Sequence, residues 1–405
     1  MAKVLVIATG FPPFEFSENI TNGKLVTALI GNGHEVNIIS KIDEGQTYNL
    51  EWCEPWLQLE PLTFTITYPV GGSWQRSYEI IRNTIRFGYP LEGIRWAGFA
   101  YKKAKELIQE GNIDLILTRS PSDIAHLVGL RLKKKLKVKW IANWNDPSTG
   151  TWPDPYERYL PTWKKIISKK YTQEILKFAD TTTFPSQMLA ANFQAHFKIE
   201  ESRIAIIPHI MLENQISYDG AAPAIGLHLV HSGNMSIERD PTNLFMALKR
   251  INDQSHDKIY LDIMGVISKQ ASDLLEDLNL KAYIRAIEPM PYYKAMRKMA
   301  EYDVLLILEA KLIKGIFLPS KISDYAQLNK PILAISPQTG EVKRLLEKYG
   351  GGFTSDNSKV EDIEDKLLFL NKMKAENRLD EIVINSSLKE YLGENRVVKL
   401  LESSF

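Results

Sequence analysis

Short apolar runs alternate with amphipathic segments along almost the whole chain, and that alternation leaves few folds open. The runs include Lys3–Thr9 (KVLVIAT), Asp114–Thr118 (DLILT) and Lys139–Trp144 (KWIANW), with TTTFP and RIAIIPHI further on. Each is short, apolar and bounded by turn residues, as strands buried on both faces are. Between them lie stretches with helical spacing, so the pattern predicts βαβ units and parallel sheets. The first unit runs from KVLVIAT through a loop (GFPPFEFSENITNG) to a helix near Lys24–Ile30, then to GNGHEVNIIS as the next strand. Gly31 and Gly33 stop that helix. Further helices are predicted over Ser122–Lys135 and Tyr156–Phe178, whereas residues 41–100 carry no clear order.

Around Met211–Gly226 (MLENQISYDGAAPAIG) the periodicity lapses into polar, Gly- and Pro-containing sequence, the signature of an interdomain linker. A second alternating series follows: LHLVHSG, IYLDIMG, YIRAIEP, DVLLILE and PILAIS, with helices between. The expected organisation is an N-terminal Rossmann-like domain over 1–210, a linker over 211–226 and a C-terminal Rossmann-like domain over 227–384. A closing helix within 385–405 packs back on the first domain, its amphipathic part being Ser387–Leu401. A length of 405 residues suits two domains.

Composition excludes several classes. At 44% hydrophobic and 24% charged the chain is neither disordered nor low in complexity. Fifty basic against 49 acidic residues leave a formal charge of +1, so no global field recruits nucleic acid. The single cysteine, Cys53, can form no internal disulfide. The start MAKVLVIATG lacks the features of a signal peptide, and no run of about 18 apolar residues occurs. The expectation is a cytoplasmic protein, with attachment to the inner membrane surface left open. There is no GxxxxGK[ST] loop, and the first strand–helix turn shows Gly10 where a dinucleotide fold has GxGxxG. HExxH, GxSxG, clustered Cys/His and DxD are also missing. The expected chemistry uses no tightly held metal and no bound cofactor.

The sharpest segment is Phe317–Ser336, FLPSKISDYAQLNKPILAIS. Pro319 and Ser320 open a helix, with Ser320 as its N-cap. Lys321 then falls in the first turn, where the helix dipole disfavours a cation by about 0.3–1 kcal/mol. A phosphate at the same helix start reverses that preference, because N–H groups and the ammonium converge on one anion. Asp324, four residues after Ser320, shares its helical face and suits ribose hydroxyls. The alternative is a solvated lysine and an ordinary first-turn acid.

LPSKISDYAQLNKPILA is similar to a proline–serine–lysine, acid–tyrosine, lysine–proline segment of glycosyltransferase family 4, enzymes of the GT-B fold. Val230–Leu248 (VHSGNMSIERDPTNLFMAL) resembles the strand, phosphate loop and helix that open that family's C-terminal domain. Ala286–Glu309 resembles its base-binding strand end and the helix and strand that follow. ATGFPPFEFSENITNGKLVTALIGNGHEV looks like its acceptor loop, IANWNDPSTGTWP like a strand-end element seen in some members, and ENRVVKLLESSF like its closing helix.

The resemblance implies an α/β chain of GT-B type, with two Rossmann-like domains facing a central cleft. It implies a nucleotide-diphosphate sugar as donor, held by the C-terminal domain, and a glycan or lipid-linked acceptor held mainly by the N-terminal domain. Gly233 and Asn234 would lie under the diphosphate, with Arg239 reaching it from the next loop. Ile287 and Pro289 would meet the base, Ser320 and Lys321 the phosphates, and Asp324 the ribose. Arg239, Lys321 and Asp146 are the candidate catalytic groups. The family's paired glutamates map onto Ile316 and Asp324, so the first acid is absent, and Asn234 stands where an arginine is common. Retaining members react on the donor's front face without an obligatory protein nucleophile, which fits the missing nucleophile–base pair.

Asp146, in NWNDPSTG, would orient the acceptor; the alternative is an Asx-turn. Asn19 and Gly23 would line the acceptor loop; the alternative is a helix N-terminus and a packing glycine. Of the seven histidines, His34 reads as a turn residue and His126 as structural, while His231 ends a strand in the cleft. Arg131–Trp140 (RLKKKLKVKW) and Lys164–Lys170 (KKIISKK) are basic runs suited to anionic headgroups. The other reading is solvated surface. Rival activities are a GT-B nucleotide-sugar epimerase and a non-catalytic sugar-nucleotide or glycan-binding protein.

Overall fold

The computed structural model describes residues 1–12, 17–43, 50–68, 72–87, 93–111, 113–157, 159–213 and 220–405. The chain divides into two units. The first comprises Met1–Pro153, Glu157–Ile210 and Glu394–Phe405; the second comprises Asp154–Tyr156 and Met211–Gly393.

In the first unit, strand β1 (Lys3–Ala8) leads to helix α1 (Ser17–Gly31) and β2 (Glu35–Asp43). A 3₁₀ stretch over Leu50–Leu62 precedes β3 (Thr63–Tyr68), α2 (Ser73–Phe87) and α3 (Ile94–Gln109). Then come β4 (Leu115–Arg119), α4 (Ile124–Leu136), β5 (Lys139–Asn143), α5 (Thr162–Phe178), β6 (Thr181–Phe184), α6 (Gln187–His196) and β7 (Ile204–Ile206). The strands form one sheet in the order β3-β2-β1-β4-β5-β6-β7, every neighbouring pair parallel. Val4–Ala8 are fully buried, as a parallel strand covered on both faces requires.

The second unit repeats the logic. Its elements are β8 (Leu227–Ser232), α7 (Thr242–Gln254), β9 (Ile259–Met264), α8 (Lys269–Asp277), β10 (Ile284–Ile287), α9 (Tyr292–Ala300) and β11 (Val304–Leu308). They continue with α10 (Lys321–Leu328), β12 (Ile332–Ser336), α11 (Glu341–Tyr349), β13 (Gly352–Asp356), α12 (Val360–Ala375), α13 (Glu381–Ile384) and α14 (Leu388–Leu392). The sheet order is β10-β9-β8-β11-β12-β13, again parallel throughout. Alternate residues of β11 feed two cores: Leu306 and Leu308 pack with α7 and α12 residues, Leu305 and Ile307 with α9, α10 and α11. In each sheet the strand order reverses once, between β1 and β4 and between β8 and β11. Crevices for ligands open at the carboxyl ends of such strands.

Several expected boundaries move. The first helix begins at Ser17 rather than Lys24. The helix expected from Tyr156 begins at Thr162, after Pro161, and Tyr156 itself groups with the second unit. The closing helix is two pieces, α14 and α15 (Glu394–Glu402), broken at Gly393, whose extended backbone interrupts the helical path. Only α15 groups with the first unit, where Glu402 meets buried His34 at 3.0 Å. Of the expected linker, residues 214–219 lie outside the described residues, as do residues 13–16 of the acceptor loop.

Packing of α4 on β5 holds the first sheet's middle together. A Cβ on Gly129 would lie 2.5 Å from the Trp140 indole, so only glycine lets this helix approach. Trp140 Nε1–H donates to Thr118 Oγ1 at 2.8 Å, and that hydroxyl meets His126 Nδ1 at 2.8 Å. Burial drives His126 down to about 3, so it stays a neutral structural ring. Gly129→Ala should therefore destabilise the first unit by about 1–3 kcal/mol, read as a lower thermal midpoint with the second unit's transition unmoved.

Candidate functional site

In the second unit, the carboxyl ends of β8 and β11 and the start of α10 converge at the reversal of strand order. Gly233 follows β8 with φ +134°, and a Cβ there would stand 2.9 Å from Lys321 Nζ. The positive φ requires glycine. The lysine thus lies across the glycine loop. Burial, and then the charge of Arg239, lower Lys321 to about 7 against the opposing pull of Asp324. Two cations are held together where an anion would relieve both. His231 Nδ1 meets the Leu306 carbonyl at 3.0 Å, so that nitrogen carries the proton. Its buried Nε2 has no hydrogen-bond partner. Burial, Lys321 and Arg239 hold His231 well below the usual histidine range, so Nε2 is a bare acceptor.

The expected residues divide by what surrounds them. Asp324 Oδ1 accepts from Tyr292 Oη at 2.5 Å, a partner the sequence reading passed over. Tyr325 Oη takes the Ser232 N–H at 3.0 Å and donates to Leu306 O at 3.2 Å, tying α10 to the reversal point. Asn234 Oδ1 accepts from Val266 N–H at 2.9 Å, so its amide links two neighbouring loops. Arg239 Nη1 lies 3.5 Å from Asn234 O. Ile287 ends β10, with its carbonyl taken by Gly265 N–H at 3.2 Å, and Pro289 is exposed beyond it. Ser320 does not cap α10. Its backbone is already helical and its side chain makes no capping bond, while Ile322 and Ser323 N–H groups bond to the Pro319 and Ser320 carbonyls. The helix start offers fewer free donors than expected, so any phosphate there depends more on Lys321.

Ile316 is buried where the family's first acid would stand. Glu309, just past β11, is the nearby acid: it is 6% exposed, and Oε2 has no partner. Burial raises it to about 8, with Arg239 opposing and Glu341 adding to the rise. It is a neutral acid at pH 7. Tyr156, aromatic edge to face with Phe317 at 5.4 Å, hydrogen-bonds Arg239.

The first unit holds a second cluster at its own reversal of strand order. Arg119, the last residue of β4, is buried and bonded through Nε to Asn22 Oδ1, with Glu18 3.8 Å away. Asn145 Nδ2 donates to Glu18 Oε1 at 2.7 Å. Burial raises Glu18 to about 7; Arg119 opposes this and Asp146 adds to it. Asp146 is itself raised to about 6 by burial, and Asp123 to about 7 by burial and Asp146. Of the residues expected here, Asp146 joins the cluster. Asn19 and Gly23 instead lie within α1: Asn19 is 2% exposed against Gly10, and Gly23 packs under the Trp56 indole, where a Cβ would stand 2.7 Å away. Their expected place in an open acceptor loop is corrected, because the helix starts at Ser17 and points them inward. Glu18, Asn22, Arg119 and Asn145 were missed. An arginine ending the apolar run DLILTR was the available signal.

Residues 21–210 match the model described as Glycosyltransferase Family 4. The chain is family 4-like, with the GT-B fold. Among solved structures it is similar to sucrose-phosphate synthase from Thermosynechococcus elongatus, at 12% identity and TM-score 0.67, covering 99% of this chain and 98% of that one. It is similar to Anabaena HepE in complex with UDP and glucose, at 12% identity and TM-score 0.68, covering 100% and 99%. A putative UDP-N-acetylglucosamine 2-epimerase from Listeria monocytogenes matches at 14% identity and TM-score 0.56, covering 100% and 96%. No curated protein matches in sequence.

In this GT-B chain the juxtaposition of Lys321 and Arg239 has a direct electrostatic consequence. A bound anion must raise the ammonium above its free value of about 7. Binding then takes up a proton between the free and bound values, so affinity falls as pH rises above about 7. Pyrophosphate should raise the thermal midpoint at pH 6.5 more than at pH 8.5, with calorimetry showing proton uptake. Lys321→Ala should remove both effects.

Proposed function

We propose that the chain transfers a sugar from a nucleotide-diphosphate donor to a glycan or lipid-linked acceptor in cell-surface polysaccharide synthesis, with retention and without a metal. The observation that carries the reading is Lys321 Nζ lying on the Gly233 loop beside Arg239, two basic groups whose mutual repulsion a bound anion would relieve. The HepE complex with UDP and glucose supports a uridine nucleotide as the donor's leaving group. In this reading the diphosphate sits over Gly233, the ribose on Asp324 and the base by Ile287 and Pro289. The acceptor hydroxyls bind at Glu18, Arg119, Asn145 and Asp146. The protein works in the cytoplasm at the inner membrane surface; among the described residues no helix is long and apolar enough to cross a membrane.

The reaction breaks the bond between the sugar's anomeric carbon and the β-phosphate oxygen, and the electron pair leaves with the diphosphate. The acceptor oxygen bonds to that carbon on the same face and yields its proton to the departing phosphate. Arg239 and Lys321 offset the charge that develops on the leaving group, the form of stabilisation worth most in a partly desolvated site. His231 Nε2 and protonated Glu309 accept from and donate to hydroxyls of the transferred sugar. The likeness to a putative 2-epimerase favours one rival, in which the same donor site acts on the sugar of a bound nucleotide without an acceptor.

Thermal shift against nucleoside diphosphates and nucleotide sugars, with and without magnesium, tests the donor site. A ligand that binds the native state alone raises the midpoint. UDP should do so without magnesium, and Lys321→Ala should weaken its binding by about tenfold or more, the loss of one charge-assisted contact. Asp324→Ala should weaken UDP and uridine alike. Silence across the panel sinks the reading. Transferred sugar in turnover supports it, whereas epimerised free sugar or binding without chemistry selects a rival.

A further inference from the structure

Lys321 and Asp324 lie three residues apart on α10, a spacing at which a cation and an anion on a helix are neighbours and ordinarily pair. Here they do not. Among the described residues Lys321 is in no ion pair, and its Nζ turns to the glycine loop, 2.9 Å from where a Cβ on Gly233 would stand. Asp324 is turned to a different group: its Oδ1 accepts from Tyr292 Oη at 2.5 Å. Tyr292 opens α9 directly after Pro291. Its half-buried ring packs on the apolar core that α9 and α10 share through Met296, Met299, Ile322 and Tyr325. The ring is rigid, so that packing sets where the hydroxyl lies. Beside Asp324, Tyr325 anchors α10 through the Ser232 N–H at 3.0 Å. Donor and acceptor therefore stand on two anchored helices, and a hydrogen bond to a carboxylate is among the stronger kinds.

We infer that Tyr292 is a positioning residue: it holds the Asp324 carboxylate off Lys321, so that the ammonium stays open to a bound diphosphate. The inference rests on the donor-site reading above and adds to it a side chain that acts through Asp324 rather than on the ligand. Without the phenol hydroxyl the carboxylate can turn along the helix face to the lysine. Lys321 then enters an ion pair that an incoming phosphate must break. The hydrogen bond thus keeps two opposite charges on one helix face available for two different parts of a nucleotide, in place of each other. Its donor comes from the segment that follows Ile287 and Pro289, so the stretch of chain expected to meet the base also sets the carboxylate expected to meet the ribose.

Calorimetric titration of the full chain with pyrophosphate tests it, at pH 6 so that Lys321, at about 7, is mostly protonated. Tyr292→Phe keeps the ring and should leave the thermal midpoint of the unliganded protein near the wild-type value. It should weaken pyrophosphate by about fivefold, the order of one ion pair that has to be broken first. Asp324→Ala should bind pyrophosphate at least as tightly as the wild type. Tyr292→Phe/Asp324→Ala should recover the wild-type affinity, since no carboxylate is left to turn. Lost packing is not repaired by deleting a second side chain, so that recovery separates positioning from a merely structural role. Wild-type affinity in Tyr292→Phe overturns the inference, and so does a double variant that binds as weakly as Tyr292→Phe. In both cases the donor site itself stands, because pyrophosphate binds the wild type. A wild type that takes up no pyrophosphate overturns the donor-site reading and the inference with it.

Discussion

A parallel sheet is covered by helices on both faces, and where its strand order reverses the two adjacent loops diverge to opposite sides. The crevice left between them is the one place where backbone at a strand end stays open. Each unit has one such crevice, and each fills it with charge. In the second, the loops after β8 and β11 bring Gly233, His231 and Glu309 together, and α10 lays Lys321 across the gap. In the first, Arg119 at the end of β4 meets Glu18 and Asn22 of α1. The placement of these groups follows from that topological break.

The two crevices have opposite electrostatic character. Around Gly233 the protein holds cations whose mutual repulsion and burial lower Lys321, and it leaves His231 neutral with a bare nitrogen. Around Arg119 it gathers Glu18, Asp123 and Asp146, all raised toward neutrality by burial, Glu18 and Asp123 further by Asp146. Groups held this way cost stability, because nothing among the described residues fully pairs them, and such costs concentrate where ligands bind. A diphosphate matches the first environment and uncharged hydroxyls match the second, the division expected of a donor and a sugar acceptor.

Much of this was readable in the sequence, for reasons of period and backbone rather than of side-chain chemistry. KVLVIAT and DVLLILE can hardly be anything except buried strands, and FLPSKISDYAQ announces a helix start with a lysine in the wrong turn for its dipole. What failed were local assignments that depend on tertiary contacts. Ser320 has the chemistry of a cap but a helical backbone, so the cap is lost to one extra residue of turn. Gly23 and Asn19 looked like loop residues because ITNG is turn-rich, yet Trp56, distant in sequence, presses that segment into α1. The Glu18–Arg119 pair joins residues about a hundred positions apart and leaves no local mark. Helix α2 was hidden in a Trp- and Pro-rich region because its apolar stripe faces outward, where the usual logic of burial does not apply.

The absence of an acid at Ile316 looks different once Glu309 is placed. Ile316 is 6% exposed, and a carboxylate buried there would need a hydrogen-bonding partner to offset its desolvation. Glu309 enters the same crevice from the end of β11, near Arg239, and burial keeps it protonated at pH 7. A carboxylate and a carboxylic acid recognise different things: the first accepts hydrogen bonds, while the second can also donate one. With His231 Nε2 restricted to accepting, the crevice presents one donor acid and one acceptor ring to whatever hydroxyls lie between them. Such a pair distinguishes substituents by their direction of hydrogen bonding, and under the function proposed above Glu309 rather than an acid at position 316 would do that sorting.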